Sequence, residues 1–369
     1  MRKILLIYIC LLGAWTLHAQ PLAEKLEQLV NHADVLETSE VGISVYNLTR
    51  GEPVYRYQDK KLYRPASVEK VITSVTALSR LGADYRFATR LAYTGNITPD
   101  GVLDGNLYVV GGFDPEFMES DLCALVQTVV KKGIRAIRGR VVADVSMTDS
   151  VHWGTGWAWD DTPESFQPYL SPLMLNRGCV AVTLVPGKRG TAPRVDVSPA
   201  SDYYRVDNRA ESHMPGAGKL KVTRDWVTNG NTIRITGNVS SRTSKLINMY
   251  SSKDFFLDTF CYRLRASGVQ VASTGFGACP DEALQLSRVE HPLSEVLLRA
   301  LKKSDNLDAE AMFYALGASG GKKGIGFADA QKEIYHFMHH HIGCSPHRYK
   351  VVDGSGVSMY NYLSPELIM

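Results

Sequence analysis

Ser67 and Lys70 are the residues in this sequence best placed to do chemistry together. A serine hydroxyl is a weak nucleophile at neutral pH and needs a base within hydrogen-bond reach. In Ser67-Val68-Glu69-Lys70 the hydroxyl and the amine stand at i and i+3, which on a helix puts both on one face. Ser67 also follows Pro65 and Ala66 at a predicted helix start, where free backbone N–H groups and the helix dipole favour developing negative charge. The tetrapeptide is common, and a second Ser-x-x-Lys occurs at Ser319–Lys322, in a glycine-rich stretch with no helix to fix the pair. The second place of interest is Ser304-Asp305-Asn306, the only Ser-x-Asn in the chain. Its hydroxyl is suited to relaying a proton and its amide to holding both an amine and a substrate carbonyl. By itself the tripeptide also reads as a polar turn.

Other constellations carry less. His336, His339 and His340 have helical metal-binding spacing, but no acidic or cysteine partner completes the pattern, and they read as a solvated helix end. The GKKGIG run lacks the spacing and the preceding strand of a phosphate loop. Asp114, Asp144 and Asp149 read as turn residues. No cofactor or metal is expected.

The elements that must position these groups follow from periodicity. Val41–Tyr57 reads as a hairpin turning at Arg50-Gly51. After it, Val68, Val71, Val75 and Leu78 are spaced 3, 4 and 3 apart, a helical apolar stripe, with Gly82 to end the helix. From about 88 to 290 the chain changes to short strand-like runs (GNLYVVGG, RGRVVADVS, CVAVTLVPG, NTIRITGNV) with two helical intervals, DLCALVQTVVKKG and DFFLDTFCYRLRASG. This predicts an α+β insertion of two subdomains. Beyond it, HPLSEVLLRALKKSDNLDAEAMFYALG returns to helix, with the Ser-Asp-Asn tripeptide between two amphipathic segments. ADAQKEIYHFMHHH predicts a further helix, and the Asp353-Gly354 pair a tight turn.

At the scale of the chain, residues 1–19 have the layout of a secretory signal peptide: Arg2 and Lys3, then an apolar run, then Ala19. The mature protein is therefore expected to be exported to the periplasm, with an uncleaved membrane anchor as the alternative. Composition is that of a globular protein, with 44% hydrophobic and 21% charged residues. The formal charge of +3, two units of which lie in the leader, gives no electrostatic reason to expect nucleic acid. Cys123, Cys179, Cys261, Cys279 and Cys344 are odd in number and irregularly spaced, so they read as buried small hydrophobes instead of a disulfide framework.

The stretches RPASVEK, GNLYVVGGFDPEF, SPLMLNRGCVAVTLVPG, KKSDNLDAEAMF and VVDGSGVSMYN resemble the D-alanyl-D-alanine carboxypeptidase/endopeptidase family typified by penicillin-binding protein 4. Ser-x-x-Lys followed by Ser-Asp-Asn is shared with class A β-lactamases. The 237 positions from Ser67 to Ser304 fit the family's long insertion and not a lactamase. The resemblance implies an α/β (α+β) multidomain chain: a transpeptidase-like catalytic domain of residues 20–88 and 290–369, with an antiparallel sheet between helices. It further implies one inserted subdomain of 89–115 and 198–289 and a second of 116–197. It implies that Ser67 attacks the D-Ala-D-Ala carbonyl of a peptidoglycan stem peptide, that Lys70 takes its proton, that Ser304 relays a proton to the leaving amine and that Asn306 positions substrate and lysine. β-Lactams would acylate Ser67 as substrate mimics. The alternatives are a β-lactamase and a non-catalytic wall-binding protein on the same fold. The family's third motif, Lys-Thr/Ser-Gly, is absent from the 369 residues. Since the motif's strand would supply one of two oxyanion donors, worth about 10²- to 10³-fold in rate, the expectation is a C-terminally truncated copy, with the catalytic assignment belonging to the intact protein.

Overall fold

The computed structural model describes residues 21–369, so the predicted leader lies outside the described residues. Among the described residues no helix is long and apolar enough to cross a membrane. The chain divides into two compact units, residues 21–63 with 364–369, and residues 64–363.

The smaller unit holds helices α1 (Leu22–Asn31) and α2 (Val35–Thr38) and the predicted hairpin, β1 (Ile43–Asn47) paired antiparallel with β2 (Glu52–Tyr57). The register slips between Val45 and Tyr46, opposite Pro53, whose missing N–H cannot serve the ladder. A short helix, Pro365–Ile368, belongs to the same unit.

The larger unit begins with a 3₁₀ turn, Ala66–Glu69, that runs into α3 (Lys70–Leu81). The helix is where the spacing placed it, but its facing is the reverse of what an apolar stripe suggests. Val68, Val71, Val75 and Leu78 are between 41% and 50% exposed, while Lys70, Thr73, Thr76 and Ala77 form the buried face. Burying those hydroxyls is tolerable because each is hydrogen-bonded: Thr73 donates to the Gly354 carbonyl at 2.8 Å and Thr76 to the Ile72 carbonyl at 2.8 Å.

A mixed seven-stranded sheet follows. It contains β3 (Arg86–Tyr93), β4 (Asn96–Ile97), β5 (Val102–Asp104), β6 (Leu107–Val110) and, beyond helix α4 (Glu119–Lys131), β7 (Ala136–Asp144). Two three-stranded sheets come next. One is built from β8 (Cys179–Val185), β9 (Arg194–Ser198) and β13 (Thr243–Asn248); the other from β10 (Arg205–Ser212), β11 (Lys221–Arg224) and β12 (Thr232–Val239). Helix α5 (Ser252–Ala266) leads to β14 (Gln270–Phe276), which pairs with β7, and to β15 (Leu284–Pro292), which pairs antiparallel with β3. The strands near the two ends of the segment 88–290, β3 and β15, thus lie side by side. One face of the large sheet, with Leu91, Val109 and Val141, buries against Val126 of α4 and Phe256 and Phe260 of α5; Val182 and Ile235 of the smaller sheets join the same core.

Three helices complete the unit: α6 (Leu293–Lys302), α7 (Asn306–Gly317) and α8 (Phe327–His340). Helix α7 is not amphipathic as expected. Every residue from Leu307 to Gly317 is buried, because α3, α6 and α8 all pack around it. The expected mixed α/β class thus holds. Of the five cysteines, Cys179 and Cys261 are buried, Cys279 and Cys344 are partly exposed and Cys123 is exposed, so the reading of all five as core residues fails for three.

Candidate active site

The turn Ala66–Glu69 presents Ser67 to solvent, while the first residue of α3, Lys70, is 1% exposed. The Lys70 Nζ lies 3.0 Å from Ser67 Oγ, 2.8 Å from Asn306 Oδ1 and 2.8 Å from the Ser355 carbonyl oxygen. The amide and main-chain oxygens only accept, so a neutral lysine spends its two N–H donors on them. Its lone pair is then left to accept the Ser67 hydroxyl proton. Asn306 is held at its other end by donating from Nδ2 to the Phe166 carbonyl at 2.9 Å, so its amide has one sensible orientation.

Of the four sequence candidates, the fold therefore brings three together. Ser304 stands apart: it is exposed, makes no hydrogen bond to Lys70 or Asn306 among the described residues, and borders a cavity of about 130 Å³ shared with Phe166, Arg177 and Asn306. Ser304 (φ +55°) and Ala66 (φ +48°) both sit in left-handed backbone that side chains with a Cβ rarely adopt, and they flank the Lys70 cluster. The second Ser-x-x-Lys, Ser319–Lys322, starts beyond the end of α7 in a turn containing two left-handed glycines, Gly320 and Gly321. His336 and His340 lie ring to ring on α8, with centroids 4.4 Å apart.

Several residues that shape this cluster carried no sequence signal of their role. Asp305 caps α7 by accepting from the Asp308 N–H at 3.3 Å. Arg177, itself at φ +62°, pairs with Asp305, with Asp308 at 2.7 Å and with Glu116 at 3.1 Å, clamping the start of α7 to the segment before β8. Burial pushes the Asp308 carboxyl up, against the pull of the Arg177 guanidinium. Below Lys70 lie three more buried acids. Asp353 receives Trp157 Nε1 at 2.8 Å, Asn361 Nδ2 at 2.7 Å and the Gly356 and Ser358 N–H groups at 2.9 and 2.7 Å, which folds residues 353–358 into a tight loop. Glu310 Oε1 accepts from the Gly354 and Ser355 N–H groups at 3.0 and 2.9 Å. Neither oxygen of Glu69 has a hydrogen-bond partner.

These contacts set the protonation of the site. Burial pulls the Lys70 ammonium below lysine's ordinary range, against the opposing fields of Glu310, Asp353, Asp305 and Glu69. Burial, with the charge of Asp353 next, raises Glu310 to about 8. Burial, then Asp353 and Glu310, raises Glu69 well above the usual carboxyl range. Both shifts favour the protonated glutamates, which weakens the negative field that opposes the loss of the Lys70 charge.

A buried lysine whose ammonium is pulled below its ordinary range, within bonding distance of an exposed serine, is an arrangement able to activate the hydroxyl as a nucleophile. The family model for D-Ala-D-Ala carboxypeptidase 3 (S13) matches residues 22–369, and the chain belongs to that family. It is 27% identical over 387 residues to the D-alanyl-D-alanine carboxypeptidase of Actinomadura sp. (strain R39), covering 99% of this chain and 71% of that protein. It is 26% identical over 347 residues to D-alanyl-D-alanine carboxypeptidase DacB of Haemophilus influenzae, covering 90% of this chain and 70% of that one. The fold matches the crystal structure of penicillin binding protein 4 (dacB) from H. influenzae with a TM-score of 0.79 at 23% identity, over 93% of this chain and 76% of that one. A second structure of that protein, complexed with a novel β-lactam, matches with a TM-score of 0.73 at 21% identity, over 93% and 75% of the two chains.

Proposed function

We propose that the chain is a serine-type D-Ala-D-Ala carboxypeptidase/endopeptidase that acts on peptidoglycan stem peptides through an acyl-enzyme on Ser67 and is acylated there by β-lactams. The observation that carries this reading is the 3.0 Å approach of the buried Lys70 amine to the exposed Ser67 hydroxyl, with the amine's other two contacts being acceptors. Lys70 takes the hydroxyl proton as Oγ bonds to the carbonyl carbon. The C–N bond of the terminal D-alanine then breaks, and the leaving amine receives a proton; water later hydrolyses the ester. Asn306 holds Lys70 in register with Ser67, and Ser304, at the rim of the adjoining cavity, relays the proton to the leaving amine. The relatives' names, D-alanyl-D-alanine carboxypeptidase, and the β-lactam complex of the H. influenzae protein support the substrate class. Export to the periplasm and the division into 20–88 with 290–369, 89–115 with 198–289, and 116–197 belong to the same proposal.

The test is release of D-alanine from a peptide ending in D-Ala-D-Ala by the purified protein. Steady release is expected, falling by roughly 10³-fold or more in Ser67→Ala. Peptide binding with no release in the wild type would instead favour a wall-binding protein.

A further inference from the structure

The large sheet buries only one of its faces under α4 and α5. Its opposite face carries Ala92, Tyr108 and Val142 as a small satellite cluster and, next to them, an open cleft of about 550 Å³. That volume suits a ligand of peptide or sugar-unit size. The floor of the cleft is set by strand register. Arg86 and Arg90 alternate with the core residues Phe87, Thr89 and Leu91 and so point away from the core, and Arg288 of β15 lies directly opposite Arg90 of β3. Like charges at directly paired positions are unfavourable in an empty sheet.

The rim adds more positive charge. The glycine-rich segment that resembled neither a phosphate loop nor a second catalytic pair is pinned here. Gly324 N–H donates to the Ser146 carbonyl at 2.7 Å, Ile325 N–H to the Met147 carbonyl at 3.1 Å, and Asp149 N–H to the Ile325 carbonyl at 2.9 Å. This puts Lys322 and Lys323 on the cleft wall. The carboxylates beside the cleft, Asp144, Asp281 and Glu290, are fewer than the cations Arg86, Arg90, Arg288, Lys322 and Lys323, so they offset the charge only in part. Asp144 is buried and already accepts from the Ser146 and Cys279 N–H groups, both at 2.8 Å, while Glu290 engages Arg288 at 2.5 Å. Lys322 has only a loose 3.9 Å approach to Glu333. Among the described residues the side chains of Arg86, Arg90 and Lys323 have neither an ion pair nor a hydrogen bond. In a chain with 41 basic and 38 acidic residues, such a concentration is a local feature.

We propose that this cleft is a binding site for a segment carrying two or more carboxylate or phosphate groups, seated between the guanidinium groups of Arg90 and Arg288 and closed by Lys322 and Lys323. Such an anion gives charge-assisted, forked hydrogen bonds to Arg90, which has no carboxylate partner of its own, and to Arg288 beside its Glu290 contact. None of the cleft residues contacts Lys70, so the site is independent of the reaction at Ser67. Titration calorimetry of the protein with citrate and, separately, with inorganic tripolyphosphate tests it, using wild type and the Arg90→Ala/Arg288→Ala variant. The exposed arginines carry no core contact, so the variant is expected to fold and to react with penicillin at the wild-type rate. Wild type should bind at least one probe saturably, more weakly as salt is added, and the variant should lose roughly tenfold or more in affinity. Binding of citrate alone assigns the site to carboxylate-bearing segments, and binding of tripolyphosphate alone to phosphate-bearing ones. No saturable binding of either probe by the wild type, or equal affinity in the variant, overturns the proposal.

Discussion

At the scale of the residue, the site combines a lysine that is denied water with buried glutamates whose carboxyls are raised by that burial. Glu310 is the clearest instance: it is buried, serves the Gly354 and Ser355 N–H groups, and has its carboxyl raised to about 8. An acid whose folded pKa lies above its unfolded value of about 4.3 binds more protons folded than unfolded between those two values. Its contribution to stability is complete below the unfolded value and is lost as pH rises through the folded one. Melting temperature should therefore fall between pH 5 and pH 9, and Glu310→Gln should fall less steeply, since the amide oxygen still accepts both N–H groups and nothing ionises. Parallel slopes for the two proteins in thermal melts would contradict a buried neutral Glu310. Glu69 acts in the same direction, so the variant flattens the profile without abolishing it.

At the scale of the element, the loop 353–358 performs a task that belongs to its backbone. Gly356 sits at φ +80°, and a Cβ there would meet the Ala66 carbonyl oxygen at 1.8 Å, which no side-chain rotation relieves. Gly354 is similarly pressed on helix α7, where a Cβ would lie 2.5 Å from the Ala309 carbonyl oxygen. This packing lets the Ser355 carbonyl reach Lys70. Gly356→Ala should push the loop from the nucleophile turn and slow acylation by at least about tenfold, with loss of thermal stability. Ser355→Ala keeps the carbonyl and should change acylation only slightly. Stopped-flow acylation by a chromogenic β-lactam measures both, and a wild-type rate in Gly356→Ala would refute the role given to the loop.

At the scale of the whole molecule, what the sequence disclosed divides along a physical line. Ser67, Lys70 and Asn306 were legible because two motifs, far apart in the chain, each needed the other to make chemical sense, and the fold brings them within 3.0 Å. The existence of α3, α7 and the long strands was legible from period and punctuation. The facing of α3 was not, because periodicity reveals a stripe but not which side the protein buries, and here the buried side is Lys70 with two bonded threonines. Glu69, Glu310 and Asp353 look like surface acids in a sequence; only packing turns them into the lining of the lysine pocket. The Ser355 contact was invisible in principle, being a carbonyl that any residue possesses. Intact-mass analysis and peptide mapping of the protein after exposure to benzylpenicillin test whether Lys70 activates Ser67 for acyl transfer. A single penicilloyl adduct on the Ser67 peptide is predicted, absent from Ser67→Ala and formed at least roughly 10³-fold more slowly in Lys70→Ala. An adduct that persists in Ser67→Ala, or a Lys70→Ala variant acylated as fast as wild type, would contradict it.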